Sequence, residues 1–480
     1  MLSHDTIAAI ATPPGEGAVA LLRISGPEAI TIVSPLFQGR IPLASMKPRH
    51  LYLGKMIIED KVIDEVLLAI FKAPQSYTGE DMVEISCHGG SLISADLLQT
   101  ILHAGARMAR PGEFTRRAYL HGKMDLTQAE AVMDLIQAQT TRAQQIATEQ
   151  LAGHLGKEIS LLKADLLAAV AHLEAFIDFP DEDIDPETGR ALQERLEKSR
   201  RHLLRLLATA PEGRLIREGL SLALCGAPNA GKSSLLNALL GRDRAIVTPI
   251  AGTTRDLLEE MASLNGFPFR LIDTAGLRET EELIEQEGIA RARQTMASAD
   301  LTLHLVDVTQ LENLSLKSTD AANNCIAPVP PFSSQVSAIL KTGSITPLQP
   351  QEILILNKID LLSDDTALRA AYPEAIFLSC KTREGLEELK KAIVFRVTGN
   401  LPTMREQASS AFAINARHQA CLQRALTALD SVLELFKQEQ PPEILAVELH
   451  VALQALGDIV GASNTEEILG EIFGNFCIGK

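Results

Sequence analysis

One stretch limits the fold more than any other: SLALCGAPNAGKSSLLNALLG, residues 221–241. An apolar run ends at Gly226, the spacing G-x-x-x-x-G-K-S runs on to Ser233, and a helix-forming segment follows. Backbone N–H groups can curl round phosphates only where no side chain obstructs them, which Gly226 and Gly231 allow. The helix N-terminus behind the loop adds a field that favours anions. In such a loop Lys232 reaches the β/γ-phosphates and Ser233 ligates Mg²⁺. The arrangement requires a strand in front and a helix behind, so residues 218–397, which alternate strand and helix, read as an α/β layer on a parallel sheet.

Three more pieces follow at the right distances. LIDTAG ends a strand and supplies Asp273, Thr274, Ala275 and Gly276, suited to an acid that holds Mg²⁺ through one of its waters and a γ-phosphate sensor. ILILNKID ends another with Asn357, Lys358 and Asp360; a carboxylate there accepts both N–H groups of a guanine edge. FLSCK, with Ser379, Cys380 and Lys381, closes the base pocket. Together they read as a guanine-nucleotide enzyme that binds GTP and GDP. Leu277 follows the DTAG where Ras-like proteins carry a water-orienting glutamine, so another group must take that part. Glu279, Glu281, Glu282, Glu285 and Glu287 are at hand, though a solvated charged face explains most of them. RAIVTPIAGTTRD reads as a switch segment, with Thr254 as a second Mg²⁺ ligand. Asn229 brings a side-chain carbonyl near the phosphates.

The other segments read more plainly. In residues 1–120, TIAAIAT, GAVALLRIS, HLYLGKMII, VIDEVLLAIF and DMVEISC read as strands and SLISADLLQTILHAG as a helix, an α+β unit. Leu151, Leu155, Ile159, Leu162, Leu166, Val170, Leu173 and Ile177 step along one stripe of a long helix. A second helix runs through Leu192, Leu196, Leu203 and Leu206. Residues 121–217 and 398–480 then make a discontinuous all-α domain with the α/β domain inserted between its halves, an arrangement that exposed loops tolerate. The Ser/Pro-rich residues at about 311–350 read as a long insertion.

Composition excludes several classes. The 480 residues carry a net charge of −16, so RNA contact needs a local basic patch or a partner rather than bulk attraction. Six scattered cysteines without a C-x-x-C pair argue against disulfides or zinc and for a reducing cytoplasm. No apolar run of about 18 residues and no secretory leader is visible. A lipid box fits the final FCIGK badly, because Gly479 and Lys480 occupy its last places.

GAPNAGKSS, IAGTTRD, DTAGLRE, NKID, the N-terminal DTIAAIATPPGEGAVALLRISG and the final FCIGK together resemble the tRNA modification GTPases of the MnmE (TrmE) family. The resemblance implies a homodimer that works with a FAD-dependent partner, MnmG (GidA), in a hetero-oligomer that engages tRNA. It adds an aminomethyl or carboxymethylaminomethyl group to C5 of a wobble uridine. The carbon would come from a 5-formyl- or methylene-tetrahydrofolate held by residues 1–120, which also dimerise, through Arg23, Glu80, Lys123 and Lys480. The family's motifs extend the GTP site to Ala230, Gly231, Ser234, Thr248, Pro249, Ile250, Ala251, Gly252 and Thr253. They imply a K⁺ ion at Asn229, Thr248, Ile250 and Thr253, which neutralises developing phosphate charge in place of an arginine finger. Glu285 would orient the water. Cys477 would be a positioned thiol, as a nucleophile or as a shaper of the site. A ribosome-assembly GTPase shares the nucleotide motifs but would bring a basic RNA-binding domain; a membrane-associated switch would need an anchor. Neither feature is evident.

Overall fold

The structure is a computed structural model, which describes residues 5–178, 190–227, 229–240, 259–264, 267–273, 299–309, 352–362, 364–398, 412–462, 466–474 and 476–480. The chain forms two compact units: Met1–Ile136, Ala147–Leu207 and Arg417–Lys480 in one, Gln137–Ile146 and Ala208–Ala416 in the other. This division is coarser than the four segments expected from sequence, since it joins the N-terminal sheet to most of the helices.

In the first unit, β1 (Ile7–Ile10), β2 (Val19–Ser25), β3 (Phe37–Gly39), β4 (Leu51–Ile58), β5 (Lys61–Phe71), β6 (Met82–His88) and β7 (Arg107–Met108) form a sheet of order β3-β4-β5-β6-β2-β1-β7 among the described residues. All pairs are antiparallel except β1 with β7. Alternation decides the faces: Ala20, Leu22 and Ile24 of β2, Val66, Leu68 and Ile70 of β5, and Val83 and Ile85 of β6 are buried on one side. The short helix α1 (Ala29–Val33) and α2 (Ser91–His103) cover that side, with Val33, Leu97 and Ile101 in the same core. The five strands and the helix expected here are present. β3 and β7, three and two residues long, carry too little pattern to be seen in a sequence.

The helices are α3 (Glu113–Leu120), α4 (Leu126–Gln137), α5 (Thr141–Leu151), α6 (His154–Asp178) and α7 (Arg190–Ala208), then Ala416–Lys437, Pro442–Val460 and Glu466–Gly474. The apolar stripe that starts at Leu151 is not one helix, because Ala152 and Gly153 form a turn between α5 and α6. The four-residue step from Leu151 to Leu155 crosses that turn and imitates a helical step, so periodicity cannot reveal the break. From Leu155 through Ile159, Leu162, Leu166, Val170 and Leu173 the stripe is buried as expected. It packs along Pro442–Val460, which buries Leu445, Leu449, Ala452 and Leu456.

A buried charge cluster joins the two halves of this helical part. Glu130 of α4 accepts from Arg417 Nε at 2.9 Å and Nη2 at 3.0 Å, and His418 Nε2 lies 2.6 Å from Oε2. Arg417 also donates to the Asp458 and Ile459 carbonyls at 2.7 and 3.0 Å. Burial alone would raise the Glu130 pKa, but His418 and Arg417 outweigh it and hold the carboxyl far below the ordinary glutamate range.

The second unit holds β8 (Leu220–Gly226), β9 (Glu259–Leu264), β10 (Phe267–Asp273), β11 (Leu301–Asp307), β12 (Glu352–Asn357) and β13 (Ile376–Leu378), in the order β13-β12-β11-β8-β10-β9 among the described residues. Only β9 runs antiparallel. β8 is buried along Leu220–Cys225, as a central parallel strand should be. α8 (Ala210–Glu218) precedes it and α9 (Lys232–Leu240) follows the glycine loop. Order reverses beside β8, so the carboxyl ends of β8, β11 and β12 face the crevice where α/β sheets hold ligands. No described helix is long and apolar enough to cross a membrane.

Glu130→Ala leaves Arg417 and His418 without their carboxylate, and we expect a loss of about 3–5 kcal/mol in denaturant unfolding at pH 7. The depressed folded pKa makes this stabilisation complete above the ordinary carboxyl range and lost as pH falls. The gap between wild type and variant should therefore narrow below about pH 4.5.

Candidate functional site: a nucleotide cradle and a tail-closed pocket

The nucleotide cradle is built where β8, β11 and β12 end. Asn229 sits in the left-handed region at φ 63°, and Gly231 at φ 101°. A Cβ on Gly231 would stand 2.4 Å from Asn357 Nδ2, so the loop passes where only glycine fits. Lys232 opens α9, and its Nζ donates to the Gly226 and Ala227 carbonyls at 2.8 and 3.0 Å. Ser233 and Ser234 follow on the first turn, with Ser234 exposed. Asp273 ends β10.

Asn357 ties the cradle together. It is 2% exposed, donates from Nδ2 to the Ala230 carbonyl at 2.8 Å, and accepts on Oδ1 from the Cys380 N–H at 3.3 Å. One side chain thereby spans the phosphate loop and the base loop. Lys358 takes φ 69° and pairs through Nζ with Asp307 Oδ2 at 2.6 Å. Burial opposes the charge on Asp307, but Lys358 and the Thr309 donors hold its pKa low. Asp360 is exposed, and the buried Ser379 hydroxyl donates to its Oδ1 at 2.7 Å. The Cys380 thiol is pushed up by burial, which leaves it a weak nucleophile. Lys381 lies exposed beside it. Thr248, Pro249, Ile250, Ala251, Gly252, Thr253, Thr254, Thr274, Ala275, Gly276 and Glu285 lie outside the described residues. Asp307 was missed by sequence reasoning; its signal, an aspartate closing LTLHLVD, repeats that of Asp273.

In the first unit, the loop between β5 and β6 gathers Arg23, Glu80 and Lys123. Glu80 Oε2 accepts from Ser25 Oγ at 2.7 Å, and Arg117 Nη1 lies 3.1 Å from both carboxylate oxygens. Lys123 Nζ donates to the Pro74 carbonyl at 3.0 Å. Arg23 is not a free cation: Glu84 Oε1 accepts from its Nε and Nη2 at 2.9 and 2.8 Å. Its guanidinium carbon lies 5.3 Å from the Tyr77 ring centre and 5.7 Å from that of Phe114.

The last residues dock here. Phe473 and Phe476 are buried with their rings 5.5 Å apart. The Cys477 carbonyl accepts from Gly112 N–H at 3.4 Å, and the Lys480 carbonyl from Phe114 N–H at 3.1 Å. Gly479 takes φ 96°; a Cβ there would meet the Ile10 carbonyl at 2.5 Å, and its own carbonyl lies 3.5 Å from Arg23 Nη1. Cys477 is exposed at this corner. The structure thus gathers Arg23, Gly479 and Lys480 round Tyr77 and Phe114, while Glu80 sits on the same loop as Tyr77 and Lys123, between α3 and α4, reaches that loop at Pro74. Gly112, Phe114 and Arg117 were missed, since RPGEFTRRA has no pattern that separates seat from surface.

Asn357→Ala removes both ties across the cradle. We expect a loss of about 2 kcal/mol, roughly thirtyfold weaker GDP binding by fluorescent-nucleotide titration, with the fold kept.

Comparison with known proteins adds to this geometry. Residues 6–123 match the family model "GTP-binding protein TrmE N-terminus" and residues 126–477 match "MnmE helical domain". The chain is 45% identical over 477 residues to the tRNA modification GTPase MnmE of Akkermansia muciniphila, covering 99% of each. It is 42% identical over 480 residues to that of Chlamydia trachomatis serovar A, and 39% over 486 residues to that of Natranaerobius thermophilus, covering all of each. The solved G domain of the T. maritima FeoB iron transporter is 28% identical over 37% of this chain and 98% of its own, with a TM-score of 0.23, too low to carry weight. Likeness of this degree from one end to the other establishes that the chain belongs to the tRNA modification GTPase MnmE family.

Proposed function

We propose that the chain hydrolyses GTP and couples that to modification of a wobble uridine in tRNA. It would act as a homodimer in the cytoplasm with a FAD-dependent partner. Full-length membership of the family carries this reading. The Asn357 tie supports it, because it joins a phosphate loop to a pocket where the exposed Asp360 carboxylate can accept the two N–H groups of guanine.

Ser233 would hold Mg²⁺ and Asn229 would contribute to a K⁺ site; the cations supply charge neutralisation on the phosphates. Lys232, held across the loop by the Gly226 and Ala227 carbonyls, would meet the phosphates with the same ammonium. Glu285 is the candidate for orienting the attacking water. In the first unit the donor set suits a reduced folate. Glu80 offers an acceptor to pterin N–H groups, Tyr77 and Phe114 offer faces to an aromatic ring, and Lys123 and Lys480 offer cations to a glutamate tail. Arg23, neutralised by Glu84, would shape the pocket and steady the tail more than it binds a carboxylate. Cys477 stands exposed at the same corner, where a thiol could meet the one-carbon unit.

Nucleoside mass spectrometry of bulk tRNA from cells with a single variant copy tests this. We expect Lys232→Ala and Cys477→Ser both to lose the C5-modified wobble uridine, with GTP hydrolysis intact only in Cys477→Ser. Retention of the nucleoside in Lys232→Ala would sink the reading. Hydrolysis by the full chain should also run at least tenfold faster in K⁺ than in Na⁺ at equal ionic strength; equal rates would remove the K⁺ site.

A further inference from the structure

Arg117 lies on α3 and is only 4% exposed, yet its guanidinium reaches three carboxylates that come from different parts of the sequence. Nη1 lies 3.1 Å from both oxygens of Glu80 and 2.8 Å from the Asp5 carbonyl. Nη2 donates to Asp5 Oδ1 at 2.7 Å and Glu113 Oε1 at 3.3 Å. Arg107 grips the far side of the cluster, donating to Glu113 at 2.6 and 3.1 Å and to Asp5 Oδ2 at 2.7 Å. Asp5 and Glu113 therefore share two cations, whereas Glu80 has Arg117 as its one cationic partner among the described residues.

The count is uneven. Among the described residues three carboxylates, Asp5, Glu80 and Glu113, face two guanidinium groups, Arg107 and Arg117. Asp5 is the more open carboxylate at 39%, but Glu80 is the one beside the pocket: its backbone lies on the loop that carries Tyr77, and 13% of its side chain is exposed there. A carboxylate has about four acceptor directions. Ser25 takes one on Oε2, itself 2.7 Å from the Thr78 hydroxyl, and a single Arg117 nitrogen is shared between the two oxygens. Acceptor capacity therefore remains on Oε1 for an incoming N–H. A carboxylate locked from behind in this way loses little freedom on binding, the condition for a preorganised acceptor.

We propose that Arg117 is a positioning residue for the folate pocket, fixing Glu80 so that its carboxylate receives N–H donors of a reduced pterin ring. This rests on the folate reading of the site given above.

Isothermal titration of the full chain with 5-formyltetrahydrofolate tests it through a double-mutant cycle on Arg117→Met and Glu80→Gln. A residue that acts through Glu80 has nothing left to lose once Glu80 is changed. We expect each single variant to bind at least tenfold more weakly than wild type, the double variant no more weakly than Glu80→Gln alone, and Arg117→Lys to recover part of the affinity. Ser25→Ala, which removes a support without removing a charge, should weaken binding severalfold in the wild-type background and not at all beside Glu80→Gln. It decides the question if Arg117→Met does not fold. Losses that multiply in the double variants, or an Arg117→Met that binds within twofold of wild type, would overturn the proposal and leave the folate reading standing. No binding by wild type would remove both.

Discussion

The seating of residues 476–480 against β1, Arg23 and the start of α3 is the contact that ties the two ends of the first unit's sequence together. Arg23 Nη1 and the Gly479 carbonyl are 456 residues apart in sequence. Closing a flexible chain over that length costs about 5 kcal/mol in entropy. The buried Phe473 and Phe476 return about 1.5–3 kcal/mol each, the same order. Glycines at 112 and 479 let two backbones meet where side chains would collide, with the Phe473 carbonyl and the Ile10 carbonyl respectively. The sheet, α3 and the last helix are thereby held as one body, with the Glu130–Arg417–His418 cluster fixing the helices between them.

The second unit is organised by a smaller device. Asn357 reads outward to two loops at once, and Lys358, held at positive φ, turns back to Asp307 instead of towards solvent. The NKID segment is therefore as much a brace as a reader of the base. Asp360 alone of that segment is presented outward, with Ser379 setting its angle.

Much of this was legible in the sequence because local rules carry it. Gly226 to Ser233 fix a strand, a loop and a helix by spacing alone, and Ala20, Leu22 and Ile24 or Leu155, Ile159 and Leu162 reveal a period that burial then obeys. Resemblance to known motifs pointed to Arg23, Glu80, Lys123 and the tail, but nothing in it pointed to Glu84, the cross-strand neighbour that pairs with Arg23. Register between β2 and β6 makes that pair, and register is not visible in either strand alone. Arg117, Glu113 and Asp5 escaped for the same reason: each is an ordinary charged residue until the fold brings residues 5, 80 and 117 to one point. The turn at Ala152–Gly153 escaped because the spacing on either side of it happened to match a helix.

The tail's seat belongs to the chain that ends in it. Residues 477–480 rest on β1, Arg23 and the start of α3 of the same polypeptide. A copy damaged at Cys477 and another damaged at Arg23 therefore hold no intact corner between them, however they are mixed. In genetic terms, if that corner carries the activity proposed above, lesions at the two ends of the sequence would fall in a single complementation group.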